Sequence, residues 1–191
     1  GGGMIGPANG LNEGGRESMA YQDILYEVDD RVAVITLNRP ERMNAFGATI
    51  REEMVAAIEE ADADDGVRVL VITGAGGQAF SAGYDIKETI QGMDRGLGEW
   101  RELLAGEMTF TMAAWDCSKP VIGMIEGHCL AGAMEVVQCF DMRYCSDDAN
   151  FGVVETRFSN GILCMIMPWV VGQISREKIY TGDQFGAEEA L

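Results

Sequence analysis

The chain has 191 residues, 47% hydrophobic and 24% charged, which suits one globular domain with a sizeable core. Its formal charge of −17 argues against nucleic acid and anionic membrane surfaces as partners, since both are gripped by clustered Lys and Arg. An anionic small ligand stays open, because a few local cations and main-chain N–H groups can hold phosphate.

Residues 1 to about 20 are rich in Gly, Asn and Glu and read as a disordered arm or an expression remnant, with a natural start near Met19. Residues 21–191 follow as the core domain. Ile24–Val28 and Val32–Leu37 are short apolar strands joined by Asp29-Asp30, a hairpin signal. Ile50, Met54, Ala57, Ile58 and Ala61 recur at helical spacing and predict an amphipathic helix over about 48–63. Val67–Thr73, Val-rich and bounded by Gly66 and Gly74, reads as a buried strand, and a Gly-rich loop runs from Gly74 to Gly83. Helices are expected over 85–91 and 99–115, then a strand over Pro120–Ile125, a small-residue loop and a helix near 132–138. Asp141–Cys145 returns to strand, Ile162–Val171 and Ser175–Tyr180 look helical, and Ala187 to Leu191 reads like an unfinished helix. Strands alternating with helices imply an α/β fold of parallel strands with right-handed crossovers.

The longest apolar runs, such as Gly161 to Gly172, are too short for a membrane span, and no basic segment leads into an apolar core near the N-terminus. Five cysteines (Cys117, Cys129, Cys139, Cys145, Cys164), odd in number and without CxxC spacing, point to reduced thiols in a cytoplasmic protein. A single histidine, His128, leaves no His-based metal site, and no metal is expected. His128 reads as a packed side chain or a lining residue of a pocket. Asp62, Asp64 and Asp65 lack the EF-hand ligand pattern and read as a solvated turn. Met108, Met112, Met124, Met134, Met165 and Met167 read as mostly core.

Two places could do chemistry. Strand-to-helix loops of small residues present unpaired N–H groups at a helix N-terminus, where negative charge is favoured. Ser81 to Asp85 and Leu130 to Met134 are such loops. If both converge, two amides can hold one oxygen that becomes negative during reaction. Glu135 and Glu155 each sit in an apolar, glycine-bearing stretch, where burial raises a carboxylate's pKa and lets a pair divide acid and base duties. Other readings exist for each: Glu135 as an exposed first-turn residue favoured by the helix dipole, and Glu155 as the partner of Arg157.

The joint pattern is more specific. Ile35-Thr36-Leu37-Asn38-Arg39-Pro40 with Asn44-Ala45, Phe80-Ser81-Ala82-Gly83-Tyr84-Asp85-Ile86-Lys87-Glu88, Lys119-Pro120-Val121-Ile122 followed by Gly127, Gly132 through Glu135, Ala149-Asn150-Phe151-Gly152 leading to Glu155, and Tyr180-Thr181-Gly182 occur in this order. Over about 21–191 the chain resembles the enoyl-CoA hydratase/isomerase (crotonase) superfamily. The resemblance implies a crotonase-like spiral of ββα turns and an acyl-CoA thioester as substrate. Coenzyme A would arrive as part of that substrate, with no separate cofactor. By position, the amides of Tyr84 and Gly132 would form the oxyanion hole, with Glu135 as base and Glu155 as acid. CoA would lie along Arg42, Met43, Asn44, Ala45, Ala82, Asp85, Ile86 and Lys87, with Arg42 and Lys87 as phosphate partners. The implied reaction is reversible addition of water to a 2-enoyl-CoA. A double-bond isomerase, another crotonase-type acyl-CoA enzyme and a non-catalytic acyl-CoA binder are the alternatives.

The chain departs from the family pattern at three places. Ala131-Gly132-Ala133 replaces three glycines. Ser159 to Trp169 replaces a Pro-Gly-x-Gly-Gly segment and bears on acyl preference. The sequence stops soon after Gly182, so the C-terminal helices that support a homotrimer or dimer of trimers are expected to be lacking.

Overall fold

The computed structural model describes residues 20–91, 94–158 and 166–190. The expected arm, all but residue 20, and the 159–165 part of the departing segment, with Cys164 and Met165, lie outside these residues.

β1 (Ile24–Asp29) and β2 (Val32–Leu37) form an antiparallel hairpin. Its two-residue turn, Asp30-Arg31, has positive φ at both positions (40° and 69°), the hand that matches strand twist. α1 (Ala48–Ala63) buries Ile50, Met54, Ala57, Ile58 and Ala61, the five positions whose spacing predicted it. β3 (Val69–Gly74) then pairs parallel to β2.

From here the chain repeats one turn of a spiral. β3 is followed by β4 (Ala79–Ser81) and the helices α2 (Ile86–Gln91) and α3 (Leu97–Asp116). β5 (Val121–Ile125) is followed by β6 (His128–Leu130) and α4 (Gly132–Gln138). β7 (Met142–Cys145) is followed by β8 (Asn150–Gly152) and a 3-10 turn, Val154–Phe158. The first strand of each turn joins one sheet, ordered β1-β2-β3-β5-β7; the second joins another, ordered β4-β6-β8-β9. α5 (Met167–Val170), α6 (Ile174–Thr181), β9 (Phe185–Gly186) and α7 (Ala187–Ala190) close the described chain, with β9 antiparallel to β8. This is the ββα spiral that the family resemblance implied.

The second sheet was not foreseen: β4, β6 and β8 fall in segments read as loops or left unassigned. Each is three residues long, too short to display an alternating pattern.

The core lies between the larger sheet, the helices and the smaller sheet. Alternation in β2, β3 and β5 turns Ala33, Leu70 and Val121 inward in one register row and Ile35 and Ile72 in the next. Gly123 completes that row because Phe140 fills the space: a Cβ there would come within 2.6 Å of the Phe140 ring. Phe140 in turn meets Phe80 of β4 edge to face, with centroids 6.3 Å apart. Each buried Val, Leu, Ile or Phe among them contributes about 1.5–3 kcal/mol.

Two secondary expectations are corrected. Asp62 is not a solvated turn residue: it accepts bonds from the Ser118 amide (3.0 Å) and hydroxyl (2.6 Å), which hold its carboxyl below the usual range. Lys119 Nζ bonds the carbonyls of Ala61 and Asp64, so this cluster ties the end of α1 to the entry of β5. Met108 and Met124 are exposed, whereas Met134 and Met167 are core.

Candidate active site

β4, β6 and β8 run parallel and adjacent, with Ser81 beside Cys129 and Leu130 beside Gly152. Their C-terminal ends therefore open side by side at about 4.8 Å spacing. Tyr84 follows β4 by three residues, Gly132 and Glu135 follow β6, and Glu155 follows β8. The topology thus delivers all four expected catalytic residues to one edge of the small sheet.

The first amide is left over by the bonding of its loop. Ala82 N–H donates to Met43 O (2.9 Å), Gly83 N–H to Ser81 Oγ (3.1 Å), Asp85 N–H to Phe46 O (3.2 Å) and Lys87 N–H to Asp85 Oδ1 (3.1 Å). Tyr84 pairs with Phe46 in a parallel bridge in which Phe46 uses both its groups, on Gly83 O and Asp85 N. The Tyr84 N–H faces the other way and has no acceptor among the described residues.

The second amide opens α4. Ala131 donates to Gly152 O (2.8 Å) and accepts from Met134 N (2.8 Å), which leaves Gly132 N–H at the first helical position without an acceptor among the described residues. Ala131 takes φ 54° and ψ −131°, a conformation alien to a residue with a Cβ. The two loops touch. A Cβ built at Gly83, whose own φ is +89°, would lie 2.9 Å from Gly132 N and 2.7 Å from Ala131 Cβ. A Cβ at Gly132 would lie 2.5 Å from Tyr84 Cδ2 and Cε2, so the Tyr84 ring rests on the Gly132 α-carbon.

Both carboxylates are interior. Glu135, in the first turn of α4, is 4% exposed, which rules out the reading of it as an exposed first-turn residue. Its charge is felt by the Tyr84 phenol and the Cys139 thiol. Glu155 is 7% exposed, and desolvation raises its pKa against the lowering effect of its own main chain. Its side-chain oxygens find no other group among the described residues, and Arg157 pairs instead with Asp183 at 3.2 Å.

The residues expected along CoA divide into a rim and a scaffold. Arg42, Ile86 and Lys87 are exposed, and Ala82 is half-buried. Met43 has φ 52°, and its carbonyl holds Ala82. Asn44, 0% exposed, is fully spent: Oδ1 accepts from Arg39 N (2.9 Å), and Nδ2 donates to Ala75 O (3.0 Å) and Ala79 O (2.8 Å). Ala45 is buried and its carbonyl accepts from Arg39 Nη1 (2.9 Å). Asp85 is buried between Arg39 (3.4 Å) and Arg42 (3.7 Å).

Arg39 is one residue the sequence reading passed over. It also meets Asp23 at 3.5 Å and so joins the hairpin to the Tyr84 loop. Its only signal was its place in Asn38-Arg39-Pro40. His128 sits in β6 between Ala79 and Asn150, with Nδ1 lacking a partner among the described residues. An apolar cavity of about 360 Å³ lies against another face of α4, lined by Met134, Val137, Phe151 and Met167; none of the four catalytic candidates borders it.

The sequence profile described as enoyl-CoA hydratase/isomerase matches residues 27–191. The chain is 31% identical over 182 residues to the hydroxycinnamoyl-CoA hydratase-lyase of Pseudomonas fluorescens, covering 89% of this chain and 63% of that protein. It is 33% identical over 182 residues to the crotonyl-CoA hydratase of Syntrophomonas wolfei, covering 91% and 67%. A solved enoyl-CoA hydratase/isomerase from Xanthobacter autotrophicus Py2 superposes with a TM-score of 0.85 at 42% identity, over 90% of this chain and 64% of that one. The chain thus spans about two thirds of the length of these relatives.

Proposed function

The chain belongs to the enoyl-CoA hydratase/isomerase family, and from that premise we propose that it adds water reversibly to a 2-enoyl-CoA thioester to give a 3-hydroxyacyl-CoA. The observation that carries this reading is the pair of amides, Tyr84 and Gly132, that find no acceptor among the described residues, at the sheet edge that also bears two buried glutamates.

Water adds at the β-carbon as its proton passes to ionised Glu135. The C=C π electrons move toward the thioester, and the carbonyl oxygen becomes an enolate oxygen held by the two N–H groups. Protonated Glu155 then gives its proton to the α-carbon, and the carbonyl re-forms. Each main-chain donor is worth about 3–4 kcal/mol of barrier in sites of this kind. Burial of Glu155 supports its role as the acid, because desolvation favours the protonated form. The CoA portion would cross the rim of Arg42, Ile86 and Lys87, while Asn44 and Asp85 hold that rim in shape. The reaction calls on no cofactor beyond the CoA that the substrate carries. We further propose assembly as a homotrimer or dimer of trimers, which sedimentation velocity would report.

The test is loss of the enoyl-thioester absorbance of crotonyl-CoA in ¹⁸O-labelled water. One labelled oxygen per product is expected, with turnover lower by orders of magnitude in Glu135→Gln and in Glu155→Gln. Double-bond migration without label uptake would make the protein an isomerase. Retention of CoA esters without turnover would make it a binder.

A further inference from the structure

We propose that the Tyr84 side chain is a positioning residue: its ring, covered by Arg51 and resting by one edge on the Gly132 α-carbon, sets the spacing of the two amides that would bind the thioester oxygen. This deepens the reading above and rests on it. A main-chain donor is aimed only as well as its loop is held, and the Tyr84 loop enters through Gly83 at φ +89°, a residue with no side chain to anchor it.

The anchor is the tyrosine ring. It rests on Gly132, the residue that owns the second amide, so one rigid group touches both donors' residues. Phe46 and Phe110 meet it edge to face at 6.2 and 6.4 Å, and lie 4.9 Å from each other. The Arg51 guanidinium covers it with 5.6 Å from carbon to ring centroid, a cation–π distance. Arg51 is itself fixed, by Gly47 O at 3.1 Å and by buried Glu107 at 3.5 Å. Thr111, also buried on α3, supplies a hydroxyl beside the phenol. α1, α3 and α4 thus meet at one ring.

This accounts for two polar residues, Glu107 and Thr111, buried on the inner face of α3. A displacement of about 1 Å in a catalytic group can cost about 100-fold in rate.

The experiment compares wild type, Tyr84→Ala, Tyr84→Phe and Arg51→Met in two assays. One is steady-state hydration of crotonyl-CoA. The other is the near-ultraviolet enolate band of bound acetoacetyl-CoA, a β-keto thioester whose ionisation reports how well an oxyanion is held. Tyr84→Ala keeps the amide and loses the ring. It should lower kcat about 100-fold and weaken the enolate band, with KM and Kd changed only a few-fold. Tyr84→Phe should stay within a few-fold of wild type. Arg51→Met, which keeps the ring, should fall between them and keeps the proposal testable if Tyr84→Ala fails to fold. Wild-type kcat and enolate band in Tyr84→Ala or in Arg51→Met would overturn the clamp. So would Tyr84→Phe as impaired as Tyr84→Ala, because the hydroxyl would then be the acting group. A wild-type protein that ionises acetoacetyl-CoA but hydrates nothing overturns the assigned reaction and leaves the clamp to be judged on the band alone. Absence of the band in wild type overturns the amide site and the clamp together.

Discussion

At Ala131 a methyl group sits where the backbone suits glycine: φ 54° and ψ −131° immediately before the Gly132 amide. Such conformations cost about 1–3 kcal/mol in a residue with a Cβ. Ala131→Gly removes that strain but loosens the unfolded chain by about 0.5–1 kcal/mol. The net expectation is a gain of about 1 kcal/mol, read as a higher urea midpoint at constant slope. Glu155 gives a second prediction, with a definite sign. Its folded pKa is raised from 4.5 by burial, so the native state holds the proton more tightly than the unfolded chain does. The Glu155 contribution to stability is therefore fully present below about 4.5 and is lost as pH rises through the folded value. Glu155→Gln carries no such penalty. Its stability relative to wild type should increase from acid to neutral pH as its activity is lost. A difference that stayed flat between the two pH values would mean that the carboxylate ionises as freely inside the fold as outside it.

Elements differ in how much of their role a one-dimensional pattern can carry. α1 was legible because all five of its buried residues are apolar and fall on one face. The strands of the larger sheet were legible because most of them alternate or run apolar over five or six residues. β4, β6 and β8 were not: they are three residues long, and parallel pairing rather than sequence pattern defines them. α3 was legible as a helix over 99–115, but not in which face it buries, since it exposes Leu97, Leu104 and Trp115 while burying Glu107 and Thr111. The candidate catalytic residues were legible only as a joint motif. Their supporting shell was invisible, because Arg39, Arg51 and Glu107 act through partners tens of residues away. Asn44 shows the consequence. Expected along CoA, it has a side chain that fastens the turn after Pro40 to the loop after β3 and to β4 through three bonds, at φ 52°, a conformation asparagine tolerates. Asn44→Ala leaves buried groups unpaired, at about 1–3 kcal/mol each. Its effect should appear as a loss on the order of 3 kcal/mol in urea unfolding. The KM for crotonyl-CoA, measured well below the unfolding midpoint, should change little; a raised KM with unchanged stability would return Asn44 to the binding surface.

Across the whole molecule, electrostatics sets two opposed effects on an anionic CoA ester. The chain carries −17 in total, a field that slows approach of any anion. Arg42 and Lys87 at the rim pull the other way. The rim is nevertheless far from a cationic patch. Arg42 lies 3.7 Å from Asp85, and Glu88, next to Lys87, spends its carboxylate on the Ala48 amide at 2.8 Å. With its cations so nearly balanced by neighbouring carboxylates, the rim contributes little net attraction beyond the Debye length of about 10 Å at 0.1 M salt. The global field should therefore win during approach. Raising ionic strength from about 0.02 to about 0.2 M should increase kcat/KM for crotonyl-CoA a few-fold, with kcat unchanged, because salt screens the repulsion before it reaches the buried chemistry. Thermal stability should rise over the same range as self-repulsion is relieved. A kcat/KM that instead fell with salt would mean that local cations dominate encounter. Arg42→Gln and Lys87→Gln would then identify which one by abolishing the slope.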